Sequence, residues 1–292
     1  MVVEGIAAAS PQRQNRAMPN RAAHRFHRDP ALPFVEVRDV RDARGISYAR
    51  HSHDTFSIGL VTGGRSIYVH ERGRDEISAG TVVMMNPGAM HACNPVDLAA
   101  WSYRMVHIDA DWLLRLQQQG DGDDAGRLRE IGPASTRDDG LRARLAHLCD
   151  RFADPCADTL ARHEAIVELA SALQGHSTLS GPDGATRGVK RVAELIIERC
   201  DEALTLADLC AASGLSESHL VRSFRKRYGM TPHAFLVDRR IQRARHELRR
   251  GRPIAEVAAA LGFADQAHLQ RTFRRVVATT PGQYRPAITP SA

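Results

Sequence analysis

The amino-acid sequence predicts a two-domain α+β protein. An N-terminal antiparallel β domain with flanking helices precedes an all-α domain built from two helix-turn-helix units joined by a linker helix. Three observations carry this reading. "FRKRYGMTP", starting at Phe224, returns as "FRRVVATTP" from Phe273, with Phe and Pro both displaced by 49 residues, so one small unit is present twice. Short alternating or apolar segments separated by Gly-rich turns fill residues 34–105, and helical periodicity follows them. The basic charge is one-sided: residues 185–292 hold 19 Lys and Arg against 10 Asp and Glu, whereas the rest holds 21 against 24.

At 292 residues and 43% hydrophobic content, the chain can bury sizeable cores, and its length suits two domains. No apolar run approaches the roughly 18–20 residues that span a bilayer, and Glu4 interrupts the place a secretory signal would occupy. A cytoplasmic protein with no membrane partner is expected. Five cysteines (Cys93, Cys149, Cys156, Cys200, Cys210) in no C-x-x-C spacing exclude a disulfide framework or a structural zinc site and predict reduced thiols.

Residues 1–30 are Arg- and Ala-rich without an apolar period and are expected to be a disordered arm. Residues 31–174 form the β domain. "TFSIGLV", "RSIYVH", "TVVMMN" and "WSYRMVHI" read as its strands. Leu141, Leu145, Leu148 and then Ile166, Leu169, Leu173 mark helices that cap it or form a dimer seam. Residues 175–187 have linker composition. The helical domain covers 188–286, and 287–292 are a tail. In that domain Val192, Leu195 and Ile196 stripe the first helix. Thr205 and Asp208 begin the next with a capping-box pattern, and Gly214 ends it. Ser216 can then cap a helix ending at Gly229: helix, Gly turn, helix. In the second copy Gly262 marks the turn. The joining helix carries Phe235, Leu236, Ile241 and Leu248 to pack on both units, leaving its many Arg residues to solvent or phosphate.

Both second helices read H-L-x-R-[ST]-F-R. Leu220 and Phe224, like Leu269 and Phe273, are four apart and share the inward face. Ser218, Val221, Arg222 and Arg225 then share another face, as do Gln266, Gln270, Arg271 and Arg274. Most charge runs are merely solvated surface, but here an Arg follows the core Leu by two residues in both copies. Arg forks match guanine O6 and N7, and Gln pairs with adenine. DNA readout is therefore expected, with Ser216, Arg225, Lys226, Arg227, Arg274 and Arg275 on backbone phosphate.

On these residues, from "LTLADLCAASGLSESHLVRSFRKRYGMTP" through "RIQRARHELRRG" to "PIAEVAAALGFADQAHLQRTFRRVVATTPGQYR", residues 189–285 resemble the DNA-binding domain of the AraC/XylS family of bacterial transcription regulators. The resemblance implies that Ser218, Val221 and Arg222, and then Gln266, Ala267, Gln270 and Arg271, lie where the family reads bases. One departure stands out: the family favours Gly after the second recognition helix, and here the residue is Ala278. In the left-handed cap conformation a non-Gly residue costs on the order of 1 kcal/mol.

In the β domain, "RHSHDTF" and "SAGTVVMMNPGAMHACN" resemble the two motifs of a cupin barrel, so a cupin-like β-barrel is expected. His51, His53 and His91 stand at ligand positions, because neutral imidazole and carboxylate suit a first-row metal. The Glu that metal cupins place after three or four intervening residues is missing, with Ser57 and Ile58 there instead. No cofactor or metal is therefore expected, although three His with one open position could hold zinc and water. Tyr48, His51, His53, His70, His91, Tyr103, Arg104 and His107 are candidates for an organic effector pocket. The resulting expectation is a sequence-specific transcription regulator, an activator by family analogy, that answers a small-molecule effector. Its partners would be operator DNA, RNA polymerase and a second copy of itself. The alternative is a metal-dependent cupin isomerase or dioxygenase fused to a DNA-binding domain, and the missing Glu counts against it.

Overall fold

The structure, a computed structural model, describes residues 23–43, 48–120, 128–178 and 187–286. Its N-terminal domain carries strands β1 (Ala23–His27), β2 (Val35–Arg41), β3 (Phe56–Gly63), β4 (Arg65–His70), β5 (Gly73–Ser78), β6 (Val82–Met85), β7 (Ala92–Pro95) and β8 (Ser102–Ile108). Helix α1 (Ala110–Gly120), strands β9 (Glu130–Ile131) and β10 (Ser135–Thr136), helices α2 (Asp139–Ala153) and α3 (Thr159–Gln174) and strand β11 (Ser177–Thr178) complete it. Six strands form one sheet in the order β1-β2-β8-β3-β6-β10, and β5-β4-β7 form a second. All these pairings are antiparallel. Val61, Tyr68, Ile77, Val83 and Met85 pack the sheets together, so the domain is an open two-sheet relative of the expected barrel, not a closed one.

Alternation along the large sheet decides what each face meets. Val35 and Val37 of β2, Phe56 and Ile58 of β3, and Val106 and Ile108 of β8 share a core with Leu141, Leu145, Leu148, Ile166, Leu169 and Leu173 of α2 and α3. Those two helices therefore cap the sheet. Asp138 and Asp158 start them, each accepting a hydrogen bond from a backbone N–H of the first turn. The opposite sheet face carries Glu36 and Arg38 of β2, Gly59 of β3, and Tyr103, Met105 and His107 of β8. It looks toward the helical domain. Residues 23–30 depart from the disordered arm expected of 1–30: Ala23–His27 pair with β2, and Phe26 stacks edge-on against Tyr284. Residues 1–22 and the tail from 287 lie outside the described residues.

The helical domain comprises α4 (Arg187–Glu198), α5 (Leu206–Ser213), α6 (Glu217–Tyr228), α7 (Pro232–Arg249), α8 (Ile254–Ala260), α9 (Gln266–Val277) and α10 (Pro281–Tyr284). Thr205 and Asp208 form the expected capping box. Gly214 and Gly229 close α5 and α6 in the left-handed conformation. Ala278 closes α9 in the same conformation, with φ 59°. The first half of α7 supplies Phe235 and Leu236 to a core with Leu220 and Phe224. Its second half supplies Ile241, Ala244 and Leu248 to another with Leu269 and Phe273. One helix thus belongs to both units. Met90, from the β6–β7 loop, enters the first of these cores.

One face of α7 departs from expectation. The joining helix's Arg residues are expected at solvent or phosphate, yet Arg239 and Arg245 are buried, together with Asp238 and Gln242. They form the seam with the β domain. Ser52 Oγ donates to Asp238 Oδ2 at 2.8 Å, and Gln242 Nε2 donates to the Ser52 carbonyl at 2.7 Å. Arg239 pairs with Asp54 and Asp238, and Arg245 reaches Glu36 at 3.4 Å.

Candidate effector cavity and nucleic-acid face

Along the seam lies a partly open cavity of about 50 Å³. By the criterion of roughly 10–15 Å³ per water, it holds a few waters or a small ligand as it stands. The β domain contributes Arg38, Tyr48, His51, His53, His91, Trp101, Tyr103, Met105 and His107 to its wall; the helical domain contributes Gln242 and Arg245 of α7 and Val276 and Val277 of α9. Six of the eight pocket candidates therefore surround one space. The other two are placed elsewhere, for a reason in the strand geometry. Arg104 lies between Tyr103 and His107 on β8, so it points to the opposite face and pairs with Asp150 of α2 at 2.6 Å. His70 ends β4 in the second sheet, 3.3 Å from Asp75.

The polar groups of the wall are unusual for their burial. His51 and His91 face each other across a two-stranded bridge, with backbone hydrogen bonds of 3.0 and 2.9 Å. Their ring centroids are 4.4 Å apart. Burial pulls His51 down to about 4 and His91 to about 3. It also lowers His53 and His107 well below their ordinary value, so all four rings are neutral at physiological pH. Ser57, standing where a metal cupin has Glu, bonds His107 Nδ1 through its hydroxyl at 2.8 Å. The Tyr48 and Tyr103 hydroxyls are 2.5 Å apart.

Arg38 is 7% exposed and forms no carboxylate ion pair among the described residues. It donates to the Val277 carbonyl at 2.8 Å, at the C-terminus of α9, and meets His24 Nδ1 at 2.7 Å, while its Nε has no hydrogen-bond partner. Burying a cation without a direct ion pair is costly, although the Glu36 carboxylate favours its charge from beyond ion-pair distance. The partial negative charge at the end of α9 offsets some of that cost.

In the helical domain the recognition candidates are open to solvent. Ser216, Ser218, Arg222, Arg225 and Lys226 at α6 and Gln266, Ala267, Gln270, Arg271, Arg274 and Arg275 of α9 are exposed, and Val221 is half-buried. Ser216 occupies the N-cap of α6, but its hydroxyl makes no cap bond. None of Arg222, Arg225, Lys226, Arg271, Arg274 and Arg275 has a side-chain ion pair among the described residues. Arg227 is half-buried over the Tyr228 ring.

The sequence reading missed the α7 face and the two valines of α9. Asp238, Gln242 and Arg245 do recur at helical spacing, but a polar stripe reads as solvated when its partners are about 190 residues away.

Two domains, one built to enclose a ligand and the other presenting paired helix-turn-helix units, define a DNA-binding transcription regulator with a ligand-binding domain. Residues 35–173 match the AraC-like ligand binding domain, and residues 209–287 match a helix-turn-helix domain. The uncharacterized HTH-type transcriptional regulator YbfI of Bacillus subtilis (strain 168) is 30% identical over 244 residues, covering 81% of this chain and 87% of its own. The HTH-type transcriptional activator RhaS of Yersinia pseudotuberculosis is 25% identical over 271 residues, 89% of this chain and 96% of its own. The crystal structure of ToxT from Vibrio cholerae O395 shares the fold with a TM-score of 0.55 at 12% identity, over 86% of this chain and 96% of that one. The chain belongs to the AraC family of transcription regulators. Among the described residues no helix is long and apolar enough to cross a membrane.

Proposed function

We propose that this protein is a transcription activator whose small-molecule effector occupies the cavity between the domains and thereby sets how the DNA-binding domain docks. One observation carries the reading: Gln242, Arg245, Val276 and Val277 of the helical domain form part of the same wall as Tyr48, His51, Tyr103 and His107. A ligand there contacts both domains, so its affinity must differ between docked and undocked arrangements. That difference is what a regulatory ligand requires. Val276 and Val277 end α9, the second recognition helix, which links the cavity directly to the DNA face.

The wall is largely apolar around Arg38, a cation with no direct carboxylate ion pair among the described residues, with two phenol hydroxyls nearby. A compact apolar molecule bearing one anionic group fits this chemistry. A solved form of ToxT holds an unsaturated fatty acid, which makes small carboxylic acids the first class to try. Arg222 and Arg271, with Ser218, Val221, Gln266, Ala267 and Gln270, are assigned to base edges. Ser216, Arg225, Lys226, Arg227, Arg274 and Arg275 are assigned to phosphates. The RhaS relatives are activators by name, which favours activation and contact with RNA polymerase. A second copy of the chain is the remaining partner.

The test is a thermal-shift screen of small apolar acids, followed by DNA-binding anisotropy with each compound that raises the melting temperature. A true effector stabilises wild-type protein, fails on Arg38→Met, and changes DNA affinity about five- to a hundredfold. A compound that binds in the cavity and leaves DNA affinity unchanged contradicts the coupling.

A further inference from the structure

We infer that Arg240 is the positioning residue that fixes one recognition helix relative to the other, and so determines the half-site spacing the protein accepts on DNA. The inference rests on the assignment of α6 and α9 to base reading. It adds what that assignment leaves open, namely what makes two separately packed units read one spacing.

The two units have separate cores. Leu220, Phe224, Phe235 and Leu236 belong to one, and Ile241, Ala244, Leu248, Leu269 and Phe273 to the other, with no residue in common. Apolar burial is non-directional, so each core holds its unit on α7 without dictating the angle between the units. Directional bonds have to do that. Arg240 stands on α7 where one core gives way to the other. It is two residues from both Asp238 and Gln242, about half a turn around the helix, and therefore leaves α7 on the side away from the seam.

Its guanidinium donates to backbone carbonyls of both units. Nε donates to the Cys200 carbonyl at 2.7 Å and Nη2 to the Glu202 carbonyl at 2.9 Å, in the segment of the first unit between α4 and α5. Nη1 donates to the Gly262 carbonyl at 2.9 Å, in the turn of the second unit between α8 and α9. Gly262 has φ 68°, and a Cβ there would come within 2.8 Å of Arg240 Nη2, so the guanidinium lies against bare backbone. One rigid planar group thus joins the segment leading into α5 to the turn leading into α9. A single ammonium lacks that fork, which makes Lys a poor substitute.

One extra base pair between half-sites moves them about 3.4 Å apart and turns one against the other by about 35°. To follow, the units must twist about α7, and the bond from Arg240 to Gly262 must break. A hydrogen bond from a charged group is worth about tenfold or more, and only a protein that has the bond loses it on the longer site.

The experiment compares full-length wild type, Arg240→Met and Arg240→Lys. Each undergoes site selection from a random duplex library. Anisotropy then gives its affinity for the site wild type selects and for that site with one base pair added or removed between the half-sites. Wild type should enrich a single spacing. Arg240→Met should enrich the same half-sites at more than one spacing, with a penalty on the altered sites about tenfold smaller than that of wild type. Arg240→Lys should behave as Met does, and it carries the comparison alone if Met perturbs folding. An equal penalty in wild type and the variants overturns the inference even when the variants bind all DNA more weakly, because a merely structural loss lowers affinity at every spacing alike. Wild type enriching several spacings also overturns it, and a single spacing retained by Arg240→Lys overturns the role of the fork. Wild type enriching no motif defeats the base-reading assignment itself, a result distinct from a single spacing that survives in the variants.

Discussion

Replacing Glu36 with Gln tests the seam at its most buried charge. Glu36 is 1% exposed, accepts from Arg28 Nε at 2.8 Å and Tyr284 Oη at 3.0 Å, and lies 3.4 Å from Arg245. Burial alone pushes a carboxyl up, but the guanidiniums of Arg28 and Arg245 outweigh it and hold Glu36 at about 2, below its ordinary 4.5. At roughly 1.4 kcal/mol per pH unit, the difference is about 3 kcal/mol of stability in the charged form. Breaking a buried pair from one side costs about 3–5 kcal/mol, a range that meets this figure. Because the folded-state value is depressed, the contribution is complete above pH 4.5 and disappears as pH falls toward 2. Urea unfolding of Glu36→Gln, followed through Trp101 and Trp112 in the β domain and by helical circular dichroism, should therefore show a loss of about 3 kcal/mol at pH 7. The gap to wild type should narrow below pH 4.5. A variant within about 0.5 kcal/mol of wild type at pH 7, or a gap that is flat down to pH 2.5, refutes the reasoning.

Other expected outcomes concern the DNA face, the caps, the core and the seam. Arg222→Ala and Arg271→Ala should each lose about 1–3 kcal/mol of base discrimination, whereas Arg225→Ala should weaken binding to every sequence and flatten the salt dependence. Equal losses on specific and random DNA for Arg222→Ala rule out its reading role. Ala278→Gly relieves a left-handed residue, worth on the order of 1 kcal/mol, but surrenders part of a methyl packed against the Tyr48, Trp101 and Tyr103 cluster; a slightly raised melting temperature is expected, and a lowered one contradicts it. Leu169→Ala, fully buried between α3 and the sheet, should cost about 2–5 kcal/mol in the same urea assay. Asp238→Ala leaves the buried Arg239 short of a partner, and it should preserve DNA binding while abolishing the response to any effector that acts through the seam.

Local signals in the sequence were enough for the helical domain. The doubled Leu–Phe pair, the Thr205–Asp208 box and the glycines at 214 and 229 are short-range devices, and each acts where it stands. The Ala278 departure also kept its meaning, since the chain takes the left-handed cap there without glycine. In the β domain the residue types of the cavity were legible but their orientation was only half so. Tyr103 and His107 line the cavity, while Arg104 between them cannot, because adjacent strand residues face opposite ways. His70 belongs to another sheet, and no local pattern announces which sheet a strand joins. Least legible was the α7 face, whose Asp238, Arg239, Gln242 and Arg245 look like solvated charge until Ser52, His53, Asp54 and Glu36 are brought to them by the fold.

The measurement closest to the central claim is selection of binding sites from a random duplex library by the full-length protein, with affinities of the enriched and scrambled sequences compared at physiological salt. The account predicts an enriched motif of two unlike half-sites centred about one helical turn apart, one for each recognition helix, bound about a thousandfold more tightly than scrambled DNA. Absence of any enriched motif, with equal affinity for all duplexes, would contradict the assignment of α6 and α9 to base reading and the regulator built upon it.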